Sequence, residues 1–160
     1  MVSFRKNIKL VATDIDGVWT DARMYYSSDG DVMKSFSTYD GMAVELLRKA
    51  GIPVIIITSE NTKIVYERAK KLGIKYLFQG ENQKLNCLQD LCNDLKITLN
   101  EVAYIGDDLN DLDVLKSVGL SAIPPNSPLL NKFKPNYTTS RSGGEGAFRD
   151  FVDFLLSKIL

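Results

Sequence analysis

Five short runs of apolar, mostly β-branched residues, at 8–13, 54–58, 76–78, 102–105 and 120–123, are separated by stretches in which apolar side chains recur at helical spacing. No other feature of the chain constrains its fold so strongly. Short runs without polar alternation suit strands covered on both faces, and strands that alternate with helices build a parallel sheet. The helical stripes are Met42, Ala43, Leu46, Leu47 and Ala50; Ile64, Val65, Ala69 and Leu72; Leu85, Leu88, Leu91, Cys92 and Leu95; Leu112, Leu115 and Val118; and Phe148, Phe151, Val152, Leu155 and Ile159. Each reads as a core face, and Gly51, Gly73 and Gly119 follow three of them as C-terminal stops. One segment breaks the rhythm. Met24 to Tyr26, a glycine-containing turn, and Val32 to Phe36 read as a β-hairpin inserted after the first strand. At 160 residues the chain is expected to form one α/β domain spanning 1–160, with the insertion at 22–38. Of the loops at 124–126 and 140–146, the second is rich in glycine and serine and is expected to be mobile.

Charge and composition narrow the chemistry. Lys plus Arg and Asp plus Glu both total 20, so no long-range field recruits nucleic acid or an acidic membrane surface. There is no histidine, which removes imidazole bases, Ser-His pairs and His-ligated zinc. Carboxylates, lysine and hydroxyls must do the work. Cys87 and Cys92, five apart in a helical stripe, fit neither a disulfide framework nor a redox pair and read as packing residues. No apolar run approaches the roughly 18 residues of a membrane span, and residues 1–9 lack the apolar stretch of a leader peptide. A reducing cytoplasm is the expected location.

The acidic residues fall where such a sheet binds ligands. Asp14-Ile15-Asp16-Gly17 follows the first strand and Gly106-Asp107-Asp108-Leu109-Asn110-Asp111 follows the fourth, and the carboxyl ends of parallel strands are the ligand-binding edge. If the extended backbone continues past the first strand, Asp14 and Asp16 project to one side. Two carboxylates held about 4 Å apart repel by roughly 4 kcal/mol at an effective dielectric of about 20, so they call for a cation or a shared proton. Oxygen donors without nitrogen or sulfur nearby favour Mg²⁺. An acidic pair after a strand is by itself more often a turn or a helix cap; two such clusters after two strands change that. Thr58-Ser59 ends another strand, offering hydroxyls and N–H groups to an anion or merely capping the next helix. Lys84 sits in the first turn of a helix expected over 82–95, where a cation opposes the helix dipole; it serves a ligand or is simply solvated.

Taken together, Asp14-Ile-Asp16-Gly-Val-Trp-Thr20, Thr58, Lys84 and Gly106-Asp107-Asp108 with Asp111 resemble the four motifs of the haloacid dehalogenase superfamily of phosphotransferases, in order and across nearly the whole chain. The resemblance implies a Rossmann-like, doubly wound parallel sheet with a β-hairpin insertion and no separate cap domain. It further implies that Asp14 attacks phosphorus to form an aspartyl-phosphate and that Asp16 acts as general acid and base. Mg²⁺ would be held by Asp14, the Asp16 carbonyl and Asp107, with Asp108 or Asp111 supporting its water shell. Thr58 and Lys84 would bind the phosphoryl oxygens, while Val18 and Trp19 are expected to pack beside the site.

The hairpin, the segments Phe36-Ser-Thr-Tyr-Asp40-Gly41 and Tyr104-Ile-Gly-Asp-Asp-Leu109 and the ending Gly143-Gly-Glu-Gly-Ala147 are similar to the capless sugar-acid phosphatases of that superfamily. That branch implies a homotetramer joined through hairpins, with a neighbouring subunit covering each active site. Met24, Tyr25, Tyr26, Val32, Met33 and Phe36 are the side chains such an assembly would cover. Phosphatases of 3-deoxy-D-manno-octulosonate 8-phosphate usually show Thr-Gly-Arg after the second motif strand and an arginine between the late glycines. Here Thr58-Ser59-Glu60 and Glu145 stand instead. Glutamate at both places is similar to phosphatases of 2-keto-3-deoxynononate 9-phosphate, with Glu60 toward the substrate hydroxyls, Arg68 and Lys71, at i and i+3, toward its carboxylate, and Ser59 a further substrate-binding candidate. The octulosonate substrate is the alternative. A non-catalytic reading is a receiver-like phospho-binding module, which also has an acidic Mg²⁺ pocket but a different strand order.

Overall fold

The five apolar runs all become strands, the first beginning two residues later than expected and the second ending one residue earlier, in a computed structural model that describes residues 7–159. The leader-peptide expectation for residues 1–9 therefore lies mostly outside the described residues. The chain runs β1 (Leu10–Thr13), β2 (Tyr25–Ser27), β3 (Gly30–Met33), α1 (Thr38–Lys49), β4 (Val54–Ile57), α2 (Lys63–Lys71), β5 (Tyr76–Phe78), α3 (Lys84–Leu95), β6 (Val102–Ile105), α4 (Leu112–Ser117), β7 (Leu120–Ile123), β8 (Tyr137–Thr138) and α5 (Ala147–Ile159). Strand β8 has no counterpart among the expected elements, because two residues are too few to register a period. No cap domain interrupts the sheet among the described residues.

The main sheet is wholly parallel, in the order β5-β4-β1-β6-β7-β8. Leaving out the separate β2-β3 hairpin and counting only its own strands, this is the order 3-2-1-4-5-6 of the Rossmann fold. A receiver domain has the order 2-1-3-4-5, so the receiver-like reading is excluded on topology. The order reverses between β1 and β6, and that switch point is where a doubly wound sheet opens its binding crevice. Both acidic clusters leave the sheet there.

Alternate strand residues feed two cores. Val11, Val54, Ile56, Ala103 and Ile105 pack under α1, α2 and α5, while Leu10, Ala12, Ile55, Ile57, Val102 and Tyr104 pack under α3 and α4. Three expectations need correction. Met42 is 51% exposed, because α1 buries Asp40, Ala43, Val44 and Leu47 and so turns its apolar face one position further on. Phe36 is not part of the exposed hairpin face; it packs against the core beneath the Arg68 guanidinium. The 140–146 loop is packed rather than loose: Gly144 N–H donates to Val18 C=O at 3.2 Å, and a Cβ on Gly143 would lie 2.0 Å from Gly17 C=O.

Candidate active site

Strand β1 ends at Thr13, and the extended backbone does not continue through Asp16 as expected. Instead the Ile15 carbonyl accepts from the N–H groups of Val18, Trp19 and Thr20, winding a tight turn. Gly17 makes the turn possible, with φ +90° and Asp107 Oδ2 only 1.8 Å from where a Cβ would stand. Asp14 and Asp16 nevertheless both line the crevice, presented by the turn rather than by strand alternation. Beneath them Trp19 is fully buried, stacks on Phe148 at 4.8 Å and donates from Nε1 to Thr13 Oγ1 at 3.0 Å. Val18 is buried too, so both pack beside the site as expected.

The cleft holds about 180 Å³, and Thr58, Ser59, Glu60, Asp107, Asp108 and Asn110 complete its polar wall. Thr58 is buried just past the end of β4. Ser59 is fixed by a bond from Asn110 Nδ2 at 3.0 Å and its own donation to Glu81 C=O at 3.2 Å. Asp107 is steadied from behind, its carbonyl accepting from Ser127 Oγ at 2.5 Å. Two of the sequence candidates stand away from this wall in their own chain. Arg68 lies over the Phe36 ring, with Nη2 donating to Ser37 C=O at 3.4 Å, and Lys71 is exposed at the end of α2. Glu145 is exposed on its loop.

Lys84 opens α3 against the sense of its dipole, and the reason is a pair of carboxylates. Its buried Nζ donates to Asp14 Oδ1 at 2.8 Å and to Asp111 Oδ1 at 2.7 Å. Burial alone would lower the lysine's pKa, but the charges of Asp14 and Asp111 and their hydrogen bonds outweigh it and raise it. Asp111 is fully engaged. Its Oδ1 also accepts from Tyr104 Oη at 2.5 Å, and its Oδ2 accepts from the N–H groups of Asp107 and Asp108 at 2.8 and 3.3 Å. Asp108 caps the following turn through Leu109 N–H at 2.7 Å. Oxygens of Asp14, Asp107 and Asp111 lie within 4.8 Å of one another, but only Asp14 and Asp107 line the cleft. Those two are the direct ligands this geometry offers, and Asp111 anchors the lysine and the loop.

Three buried carboxylates facing one ammonium leave an excess of negative charge. Burial first, then the Asp111 charge, pushes the Asp14 carboxyl up to about 7 against the pull of Lys84. Burial followed by Asp14, Asp111 and Asp108 pushes Asp107 up to about 8. Buried acids held this high are a site short of a cation, and oxygen donors without nitrogen or sulfur make it a Mg²⁺ site.

A protein-family model, haloacid dehalogenase-like hydrolase, matches residues 30–119. The 3-deoxy-D-manno-octulosonate 8-phosphate phosphatase KdsC of Escherichia coli K12 is 39% identical over 157 residues, 98% of this chain and 83% of its own. The chain belongs to the haloacid dehalogenase-like hydrolase family. Among solved structures, this hydrolase is similar to the 3-deoxy-D-manno-octulosonate 8-phosphate phosphatase of Moraxella catarrhalis in complex with a magnesium ion, a phosphate ion and KDO. The TM-score is 0.90 at 38% identity, over 96% of this chain and 88% of that one. It is similar also to the cobalt-bound form of the Haemophilus influenzae phosphatase, with TM-score 0.90 at 36% identity over 95% and 89% of the two chains. Family and site together make this haloacid dehalogenase-like hydrolase a phosphatase.

Four residues that support the site were given no role by the sequence. Tyr104 sits in an apolar strand run, where a fully buried hydroxyl needs a partner, and that need was the one available signal. Ser127 and Asn126, whose Oδ1 accepts from Gly143 N–H at 3.1 Å, belong to a loop without periodicity. Lys34, the residue after the hairpin's return strand, reaches Asp16 Oδ1 at 2.6 Å.

The raised acids of this hydrolase set a pH dependence. Folded pKa values above the unfolded 3.8 mean that the metal-free folded state holds extra protons, so its stability falls as pH rises from about 4 through about 8. Mg²⁺ requires those carboxylates ionised, so its stabilising effect grows over the same range. At one fixed concentration, about 100 times its dissociation constant at pH 8, Mg²⁺ is expected to raise the melting temperature by about 5–10 °C at pH 8 and by much less at pH 5.5, where protons compete for the same carboxylates. Thermal melts with and without Mg²⁺ at the two pH values check this; equal shifts would contradict it.

Proposed function

We propose that this hydrolase is a Mg²⁺-dependent phosphomonoesterase that removes the terminal phosphate of a 2-keto-3-deoxy sugar acid. One observation carries the reading: Asp14, Asp107 and Asp111 converge within 4.8 Å at the switch point of the sheet, with Lys84 between the first and the last. Asp14 attacks phosphorus, and the bond to the departing sugar oxygen breaks as Asp16 donates its proton. Asp16 then takes a proton from the water that attacks the aspartyl-phosphate, the bond from phosphorus to Asp14 breaks, and inorganic phosphate leaves. Lys84 offsets charge at Asp14 and the phosphoryl oxygens, and Thr58 and Ser59 orient those oxygens from the cleft wall. Mg²⁺, held by Asp14, Asp107 and the Asp16 carbonyl, polarises the phosphoryl group when bound.

Within this class the reading favours 2-keto-3-deoxynononate 9-phosphate. Glu60 puts an anion on the cleft wall beside the phosphate site, suited to accepting from substrate hydroxyls and unsuited to a substrate carboxylate. That carboxylate is met by Arg68 and Lys71 of a neighbouring subunit, since neither reaches the cleft of its own chain. The neighbour is brought in by the hairpin, where Met24, Tyr25, Tyr26, Val32 and Met33 are 38–64% exposed on one small element. Such a patch suits burial in a homotetramer. Free cysteines at 87 and 92, and the absence among the described residues of a helix long and apolar enough to cross a membrane, support a cytoplasmic setting.

The second reading is the eight-carbon substrate, favoured by the names of the relatives. Phosphate release with Mg²⁺ on both sugar-acid phosphates decides between them. A hydrogen bond to a charged group is worth about 1.5–3 kcal/mol, so kcat/KM should favour the nine-carbon compound about 10- to 100-fold. Preference for 3-deoxy-D-manno-octulosonate 8-phosphate would assign the alternative, and release from neither would reject the class. Sedimentation velocity checks the assembly, with four chains per particle expected; a lone chain that turns over at full rate would remove composite closure.

A further inference from the structure

The end of β3 and the two residues after it invert the usual order. Val32, Met33 and Ser35 are exposed, while Lys34 between them has no exposed side-chain surface at all. A lysine is almost never withdrawn completely from water unless it is paired, and it normally keeps its head in solvent. Here the head reaches back eighteen positions to Asp16 Oδ1 at 2.6 Å, with Asp31 Oδ2 a looser 3.8 Å away. The other Asp16 oxygen, Oδ2, is buried without a hydrogen-bond partner. One oxygen is thus pinned by the lysine and the other is enclosed, so the carboxyl is held in a single orientation. The large side chains of the two strands themselves, Tyr25, Tyr26, Val32 and Met33, are exposed.

We propose that Lys34 is the positioning residue of the acid-base step: by gripping Asp16 Oδ1 it locks the carboxyl in one orientation on the cleft wall, from which it gives a proton to the leaving oxygen and then takes one from the attacking water. This rests on the reading of Asp16 as general acid and base. The hairpin is then part of the catalytic apparatus of its own chain as well as an outward-facing surface. Lys34 exchanges no proton with substrate; it acts only through Asp16. Removing it lets the carboxyl rotate and subtracts from both proton transfers, each worth about 10²–10⁴-fold when well placed.

An aryl ester separates those transfers. p-Nitrophenolate leaves without a proton, so formation of the aspartyl-phosphate from p-nitrophenyl phosphate does not need Asp16, whereas its hydrolysis does. In full-length Lys34→Met with Mg²⁺, stopped-flow traces should show a burst of nitrophenolate at a rate within about threefold of the unaltered enzyme. The steady rate after the burst should be lowered about 10- to 100-fold. Turnover of 3-deoxy-D-manno-octulosonate 8-phosphate, an alkyl ester, should fall at least as far. Lys34→Arg, which keeps a charged donor, should recover part of the loss, and Lys34→Gln is read in the same way where Lys34→Met does not fold. Asp16→Asn is the reference. A burst in Asp16→Asn without one in the Lys34 variants overturns this proposal alone, and no burst in Asp16→Asn overturns the acid-base reading beneath it. Burst and steady phases reduced in parallel, or neither reduced, would likewise reject Lys34 as a positioning residue.

Discussion

Asp14→Asn should abolish phosphate release while leaving the protein folded. The amide is a poor nucleophile, and loss of a covalent nucleophile from a site whose groups act together costs about 10⁴- to 10⁶-fold in turnover. Folding should not suffer. The Asn oxygen can still accept from Lys84, which now holds Asp14 Oδ1 at 2.8 Å. Burial and the Asp111 charge already hold Asp14 near 7, so replacing it with a neutral group relieves repulsion in the metal-free protein. The melting temperature without Mg²⁺ should therefore be equal or higher, and the rise produced by Mg²⁺ should shrink because one of two direct carboxylates is gone. Phosphate release and paired melts measure both; a folded variant that keeps more than about 1% of turnover would take Asp14 out of the mechanism.

Lys84→Met should act in the opposite sense on stability. It strips the one ammonium from Asp14 and Asp111, both buried, with Asp107 alongside. Breaking a buried pair by removing one partner costs about 3–5 kcal/mol, which for a chain of this size lowers the melting temperature by about 6–20 °C. Protonation of the stranded carboxylates limits the loss at low pH, so the deficit should widen from pH 5.5 to pH 8. Mg²⁺ should recover part of the stability, because it supplies positive charge to the same carboxylates. It should not recover turnover, which should stay about 10²- to 10³-fold down for want of a charge against the transferring phosphoryl group. Melting and turnover both like those of the unaltered protein would show that Lys84 is dispensable.

The strands and most of the helices were legible because their signal is local. Val54 to Ile57 cannot be other than a covered strand, and a helix that places Leu88, Leu91 and Cys92 on one side turns that side inward. The same rule misassigned Met42, since an apolar residue beside the stripe satisfies the pattern whether or not the core reaches it. The loop at 140–146 misled for a related reason. Glycine and serine read as slack, yet at Gly143 the missing Cβ is what lets the Gly17 carbonyl approach. Asp14, Asp16, Asp107, Thr58 and Lys84 were legible because each stands at the end of a strand or the start of a helix. The spread of Arg68 and Lys71 was not, because spacing along a helix says which residues share a face and nothing about what that face meets.

What the sequence determined by itself was the alternation of strand and helix, the placing of acids at strand ends, and the kind of ion such oxygens favour. Each follows from neighbours within a few residues of one another. Only the tertiary structure decided that β1 and β6 lie side by side at the switch point, that Asp111 spends both oxygens on Lys84, Tyr104 and backbone N–H groups, and that Lys34 folds back onto Asp16. These are pairings across many residues of chain, and they exist because burying a charge is tolerable only where another part of the fold brings its partner.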